Sequence, residues 1–109
     1  MCRALKVLCV ASDRHGLMDL KRATVSAEWE LAPGATTEVD ALTQLEAERP
    51  DVLVVFGEFE DLVSRVREGR PSLPIVCDRD LPGATSVVGM SEEIRDAVRA
   101  LPRSGGPVR

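Results

Sequence analysis

Two stretches of this chain are apolar almost without interruption: ALKVLCVA at 4–11 and DVLVVFG at 51–57. A strand with one face in water alternates apolar and polar residues. These two do not, Lys6 apart, and they are rich in Val and Leu, which is the habit of a central parallel strand covered on both faces. Parallel neighbours need crossover connections, and the rest of the chain supplies them. Leu17, Leu20, Thr24 and Ala27 recur at helical spacing after the first run. EWELA at 28–32 is short and alternating, so it reads as an edge strand, closed by Pro33 and Gly34. Thr36 or Thr37 caps a second helix with Val39, Leu42 and Leu45 as its stripe, ending before Pro50 because the residue ahead of a proline avoids the helical region.

After the second central run, DLVSRVREG carries Leu62, Val63 and Val66 on one helical face and stops at Gly69, which reads as the C-cap. LPIVC at 73–77 and TSVVGM at 85–90 are the fourth and fifth strands. Ser91 caps a last helix whose buried stripe is Ile94, Ala97, Val98 and Leu101, with Glu92 and Glu93 in the first turn where the helix dipole favours anions. Strand and helix alternating in this way give an α/β class: a doubly wound parallel sheet of five strands in the order 2-1-3-4-5. The link DRDLPGA between the fourth and fifth strands is too short for a full crossover helix, so that helix is shortened or absent and the pairing of the last strand stays open. One domain over residues 1–101 follows, with 102–109, PRSGGPVR, as a flexible tail.

Composition narrows the function classes. A formal net charge of −4 and only three aromatic residues argue against a nucleic-acid surface on this chain, because phosphates need basic stripes and bases need aromatic platforms. Cys2, Cys9 and Cys77 form no close C-x-x-C pair, so reduced thiols and a cytoplasmic location are expected. His15 is the only histidine, too few for a zinc site with these cysteines. The apolar start is broken by Lys6 and is too short for a membrane span or a good signal peptide. No glycine-rich phosphate loop is present.

In order and spacing, residues 5–101 resemble the receiver domains of bacterial response regulators, a flavodoxin-like fold. LKVLCVASD resembles their first strand and following acidic pair, TTEVDALTQLEAERPDVLVV their second helix and third strand, SLPIVCD their fourth strand, and GATSVVGMSEEIRDAVRAL their fifth strand and last helix. Receivers move a phosphoryl group onto an aspartate beside Mg²⁺, held by a lysine and a hydroxyl. Carried onto this chain, the acidic pair falls on Ala11 and Ser12, the nucleophile on Phe56, the hydroxyl on Arg79 (or Asp78 with a slip of one) and the lysine on Met90. Each has the wrong chemistry. The resemblance therefore implies a pseudo-receiver: a phosphorylation-independent regulatory module with no cofactor, acting on a protein partner or as a homodimer through the last strand and helix.

A second reading rests on acids at the strand ends, where open parallel sheets bind ligands. SDRHG, GEFED and CDRD would bring Asp13, His15, Glu58, Asp61, Asp78 and Asp80 to one edge. Oxygen ligands with one imidazole suit Mg²⁺ or Mn²⁺. The set is similar to part of the metallophosphoesterase series, D-x-H-G at Asp13–Gly16 and G-D-x-x-D at Gly57–Asp61 with Glu58 for the first Asp, while the later histidines have no counterpart. That resemblance implies a divergent or truncated phosphoesterase-like protein with a single weak site. A third reading is a stand-alone flavodoxin-like domain that shares only architecture with either family.

Overall fold

A computed structural model describes residues 5–79, 81 and 83–100, and Ser91 by its backbone alone. The elements follow as β1 (Leu5–Ala11), α1 (Arg14–Thr24), β2 (Trp29–Leu31), α2 (Glu38–Glu48), β3 (Val52–Phe56), α3 (Glu60–Gly69), β4 (Ile75–Cys77), β5 (Ser86–Val87), a 3₁₀ turn at Ser91–Glu93 and α4 (Ile94–Ala100). All five strands are parallel and lie in the order β2-β1-β3-β4-β5. That is the doubly wound sheet expected from the sequence.

The apolar runs sort by strand period into two layers. Val7, Cys9 and Ala11 of β1, Val52 and Val54 of β3 and Val76 of β4 pack with Leu20, Trp29, Ile94 and Val98 on one face. Leu8, Val10, Leu53, Val55, Ile75 and Cys77 pack with Ala41, Leu45, Leu62, Val63 and Val66 on the other. Successive strand residues point to opposite faces, so an uninterrupted apolar run is the sequence a strand needs when both faces are roofed by helices. β1 and β3 share the longest register, from Val7 beside Val52 to Ala11 beside Phe56, so their C-terminal ends finish level.

Several local expectations change. Val39 is 73% exposed; the buried residues of α2 are Ala41 and Leu45, with Leu42 packed beside them. At 100° per residue Val39 lies about 200° from Ala41, on the opposite side of the helix. Thr37 is the cap, accepting the Asp40 N–H at 3.1 Å, and Arg49 ends the helix in the left-handed region just before Pro50. Ala27 lies beyond α1, which closes at Thr24: the Thr24 hydroxyl donates to Leu20 O, and the Trp29 indole N–H donates to Thr24 O. Gly69 is the last residue of α3 and Arg70 its cap, with the Arg70 N–H on Val66 O. β4 starts only at Ile75, after Pro74, and β5 is cut to two residues because the chain turns at Gly89 and Met90, whose N–H groups both donate to Glu93 Oε1. Leu101, Cys2 and the 102–109 tail lie outside the described residues.

No helix occurs among the described residues between β4 and β5. Arg67 of α3 reaches across the gap. Its Nε donates to Gly83 O (2.8 Å), Nη1 to Pro71 O (3.0 Å) and Leu73 O (2.6 Å), and Nη2 to Thr85 Oγ1 (2.9 Å). Thr85 Oγ1 in turn accepts the Ile75 N–H, and the Thr85 N–H donates to Ile75 O. A planar fork of fixed donors thus ties the short link to α3 and keeps β5 parallel to β4.

Candidate functional site

The C-terminal ends of β1, β3 and β4 open into a crevice of about 430 Å³ lined by Ala11, Ser12, Gly16, Asp19, Leu20, Phe56, Gly57, Asp78, Arg79, Gly89 and Met90. All five residues aligned with receiver chemistry, Ala11, Ser12, Phe56, Arg79 and Met90, therefore meet at one place. β3 brings Phe56 there beside Ala11, and the ring is half-buried against the Val7, Cys9 and Val54 layer. Ser12 is exposed and Met90 is 59% exposed at the far wall.

Beyond Phe56 the chain turns at Gly57, whose φ of 130° side chains rarely adopt and where a Cβ would lie 3.1 Å from the Phe59 ring. The turn aims the Gly57 N–H at Asp78 Oδ1, 3.2 Å away at the end of β4. Arg79 forks the same carboxylate, Nε to Oδ1 at 3.1 Å and Nη2 to Oδ2 at 3.2 Å, and its Nη1 lies 3.5 Å from Glu58 Oε2. Asp78, then Glu58, push the Arg79 guanidinium further above its ordinary range, so it stays charged at every working pH.

A larger, open crevice of about 800 Å³ adjoins this one, lined by Glu38, Glu58, Phe59, Glu60, Asp61, Leu62, Arg79 and Leu81. Arg79 is the one cationic side chain lining either crevice among the described residues. Glu38 belongs to α2, and its carboxylate pairs with Arg65 at 2.7 Å. Sequence spacing had no means of placing it here.

The described members of the expected acidic set do not gather at one point. Among the described residues no three carboxylate, imidazole or thiol groups come together as a set able to hold a metal ion. Asp13 caps α1 by accepting the Gly16 N–H at 2.6 Å, and His15 is exposed on the first turn of that helix. Glu58 and Asp61 face the larger crevice while Asp78 faces the smaller one, tied to Arg79 and Gly57. Asp80 lies outside the described residues. Placing acids after three strands brings them toward one rim, but the Asp13 carboxylate is taken up by its own helix cap and that of Asp78 by Gly57 and Arg79. Burial pushes the thiols of Cys9 and Cys77 up to about 11, which keeps both neutral and poor nucleophiles.

No family model matches the chain, and no curated protein does. Solved structures do. The signal receiver domain of an HD domain-containing protein from Pseudomonas fluorescens Pf-5 superposes with a TM-score of 0.73 at 19% identity, covering 89% of this chain and 93% of that one. The chemotaxis response regulator CheY4 of Vibrio cholerae gives 0.72 at 19% identity, covering 89% and 98%. The isolated REC domain of RcsB from Salmonella enterica serovar Typhimurium, solved in the presence of the phosphomimetic BeF3−, gives 0.70 at 16% identity, covering 90% and 88%. The chain has the receiver-domain fold and strand order, with four α-helices among the described residues. These comparisons lend no support to the phosphoesterase resemblance. No helix among the described residues is long and apolar enough to cross a membrane.

Proposed function

We propose that this chain is a receiver-like regulatory module that works by protein contact and without phosphorylation. One observation carries the reading: the strand that in a receiver would deliver the nucleophile ends here in the half-buried ring of Phe56, beside Ala11 and Ser12 where the acidic pair would stand. A phenyl ring has no lone pair to attack phosphorus, and an alanine and a serine cannot supply the carboxylates that hold Mg²⁺. The contact surface is β5 with α4, where Val87 is 51% exposed on the edge strand and Met90 is 59% exposed next to it. Its occupant is a protein partner or a second copy.

The test is intact-mass analysis after incubation with Mg²⁺ and a small acyl phosphate donor. An unchanged mass is expected. Stoichiometric gain of one phosphoryl group would overturn the reading. Light scattering at high concentration then separates the occupants: a dimer mass identifies a second copy, and a monomer mass leaves a different protein.

A further inference from the structure

The three donors around Asp78 form an arrangement that ordinary surface ion pairing does not require. A backbone N–H from the exit of β3 and two guanidinium N–H groups from the exit of β4 converge on one carboxylate, all within 3.2 Å. A glycine amide turned out of the chain beside a guanidinium fork is a donor set for an oxyanion of carboxylate or phosphate size. The carboxylate is also the inner member of its cluster: the Asp78 side chain is 22% exposed, against 43% for Arg79 and 89% for Glu58. Its position is fixed from behind, because the Asp78 N–H donates to Val55 O as β4 leaves the sheet. The turn that aims this amide requires a glycine, since its φ of 130° is one that side chains rarely adopt and an added Cβ would lie 3.1 Å from the Phe59 ring.

We propose that the Gly57 amide and the Arg79 guanidinium form an oxyanion seat that the chain fills with its own Asp78 carboxylate, so that the strand edge is held permanently in an anion-occupied state. A carboxylate tethered one residue from the guanidinium binds it intramolecularly, without the cost of bringing a free anion out of solution. The seat is therefore closed to external oxyanions in the native chain. Glu58 at 3.5 Å supplies a second, more solvated carboxylate to the same guanidinium and adds to the exclusion. This rests on the reading above and gives it a cause: the loops after β3 and β4 are joined by an internal anion instead of a transferred one.

Two measurements on the full ¹⁵N-labelled chain test it, amide hydrogen exchange and a titration with inorganic phosphate followed at Gly57 N–H and Arg79 Nε–H. In the native protein the Gly57 amide is protected and millimolar phosphate moves neither signal. In Asp78→Ala the Gly57 amide exchanges at least about tenfold faster, as loss of a hydrogen bond to a charged acceptor requires. Phosphate now shifts both signals, and Asp78→Ala combined with Arg79→Gln loses that response. Should Asp78→Ala fail to fold, Asp78→Asn, whose neutral amide oxygen accepts from the same donors more weakly, is expected to respond to phosphate at a higher concentration than Asp78→Ala would. An unprotected Gly57 amide in the native protein, a native phosphate response equal to that of the variants, or silence of both folded Asp78 variants would each overturn the seat. Covalent phosphoryl gain would sink phosphorylation independence and leave these results standing, so the two failures are distinguishable.

Discussion

Removing the Arg67 side chain tests the idea that one guanidinium stands in for a crossover helix, none being found among the described residues of the β4–β5 link. Arg67→Ala deletes four hydrogen bonds, to Leu73 O, Pro71 O, Gly83 O and Thr85 Oγ1. The bond to Leu73 O is part-buried and the other three are exposed. A hydrogen bond from a charged donor to a half-buried carbonyl contributes about 1.5–2 kcal/mol, and an exposed one about 0.5. The sum is about 3 kcal/mol, with some further loss of packing because the arginine stem covers Gly83. A domain of this size then melts more than about 10 °C lower. Arg67→Lys restores no more than about 1 kcal/mol, since a point ammonium cannot span acceptors on three sides.

The assay is urea unfolding followed by the fluorescence of Trp29, the only tryptophan and 5% exposed. The midpoint is expected to fall in Arg67→Ala without a change in slope, as for a loss of stability with the same surface buried. A cost below about 0.5 kcal/mol, the level of an ordinary surface substitution, would refute the reasoning. So would a lysine variant as stable as the native chain, because the fork geometry would then be idle.

Phe56→Asp is expected to gain no phosphoryl group from a small donor, because Ala11, Ser12 and Met90 still lack the acids and the cation; intact mass decides, and a gain of one phosphoryl would show that the aspartate alone suffices. The same variant loses about 1–3 kcal/mol in urea by placing a carboxylate against the Val7 and Val54 layer. Stability is also expected to fall as pH rises from about 9 to about 11. Burial keeps the Cys9 proton on in the folded state up to about 11, whereas the unfolded thiol loses it near its ordinary value. The folded chain thus binds more protons in that window, at a cost of up to about 1.4 kcal/mol per pH unit for this group. Cys9→Ala should flatten the slope of urea midpoint against pH, and an unchanged slope would count against the buried neutral thiol.

The amino-acid sequence by itself determined the layers. Whether a run such as VLCVA or VLVVF is roofed on both sides is settled by each residue's apolarity and the two-residue period of a strand, and both are local. The start of α2 was legible for the same reason, since the Thr37 cap acts within three residues of itself. Even the gap between β4 and β5 was visible as a count of residues. The receiver resemblance picked out Ala11, Ser12, Phe56, Arg79 and Met90, and their meeting at one crevice agrees with the strand order, because parallel strands finish at the same edge.

Only the tertiary structure decided what those ends do. Val39 and Ala41 are equally fit for a helix stripe by type, and the approach of α2 to the sheet selected Ala41 and left Val39 in water. Arg67 reads in sequence as a solvated helix cation. Its four acceptors come from segments 4 to 18 residues further along, brought within reach only when α3 lies over the β4–β5 link. Asp78 read as one of five acids converging with His15, yet the Gly57 amide 21 residues away, turned by a positive φ, gave its carboxylate another partner. Hydrogen bonds of this kind depend on distance and angle between remote groups, and a one-dimensional pattern holds neither.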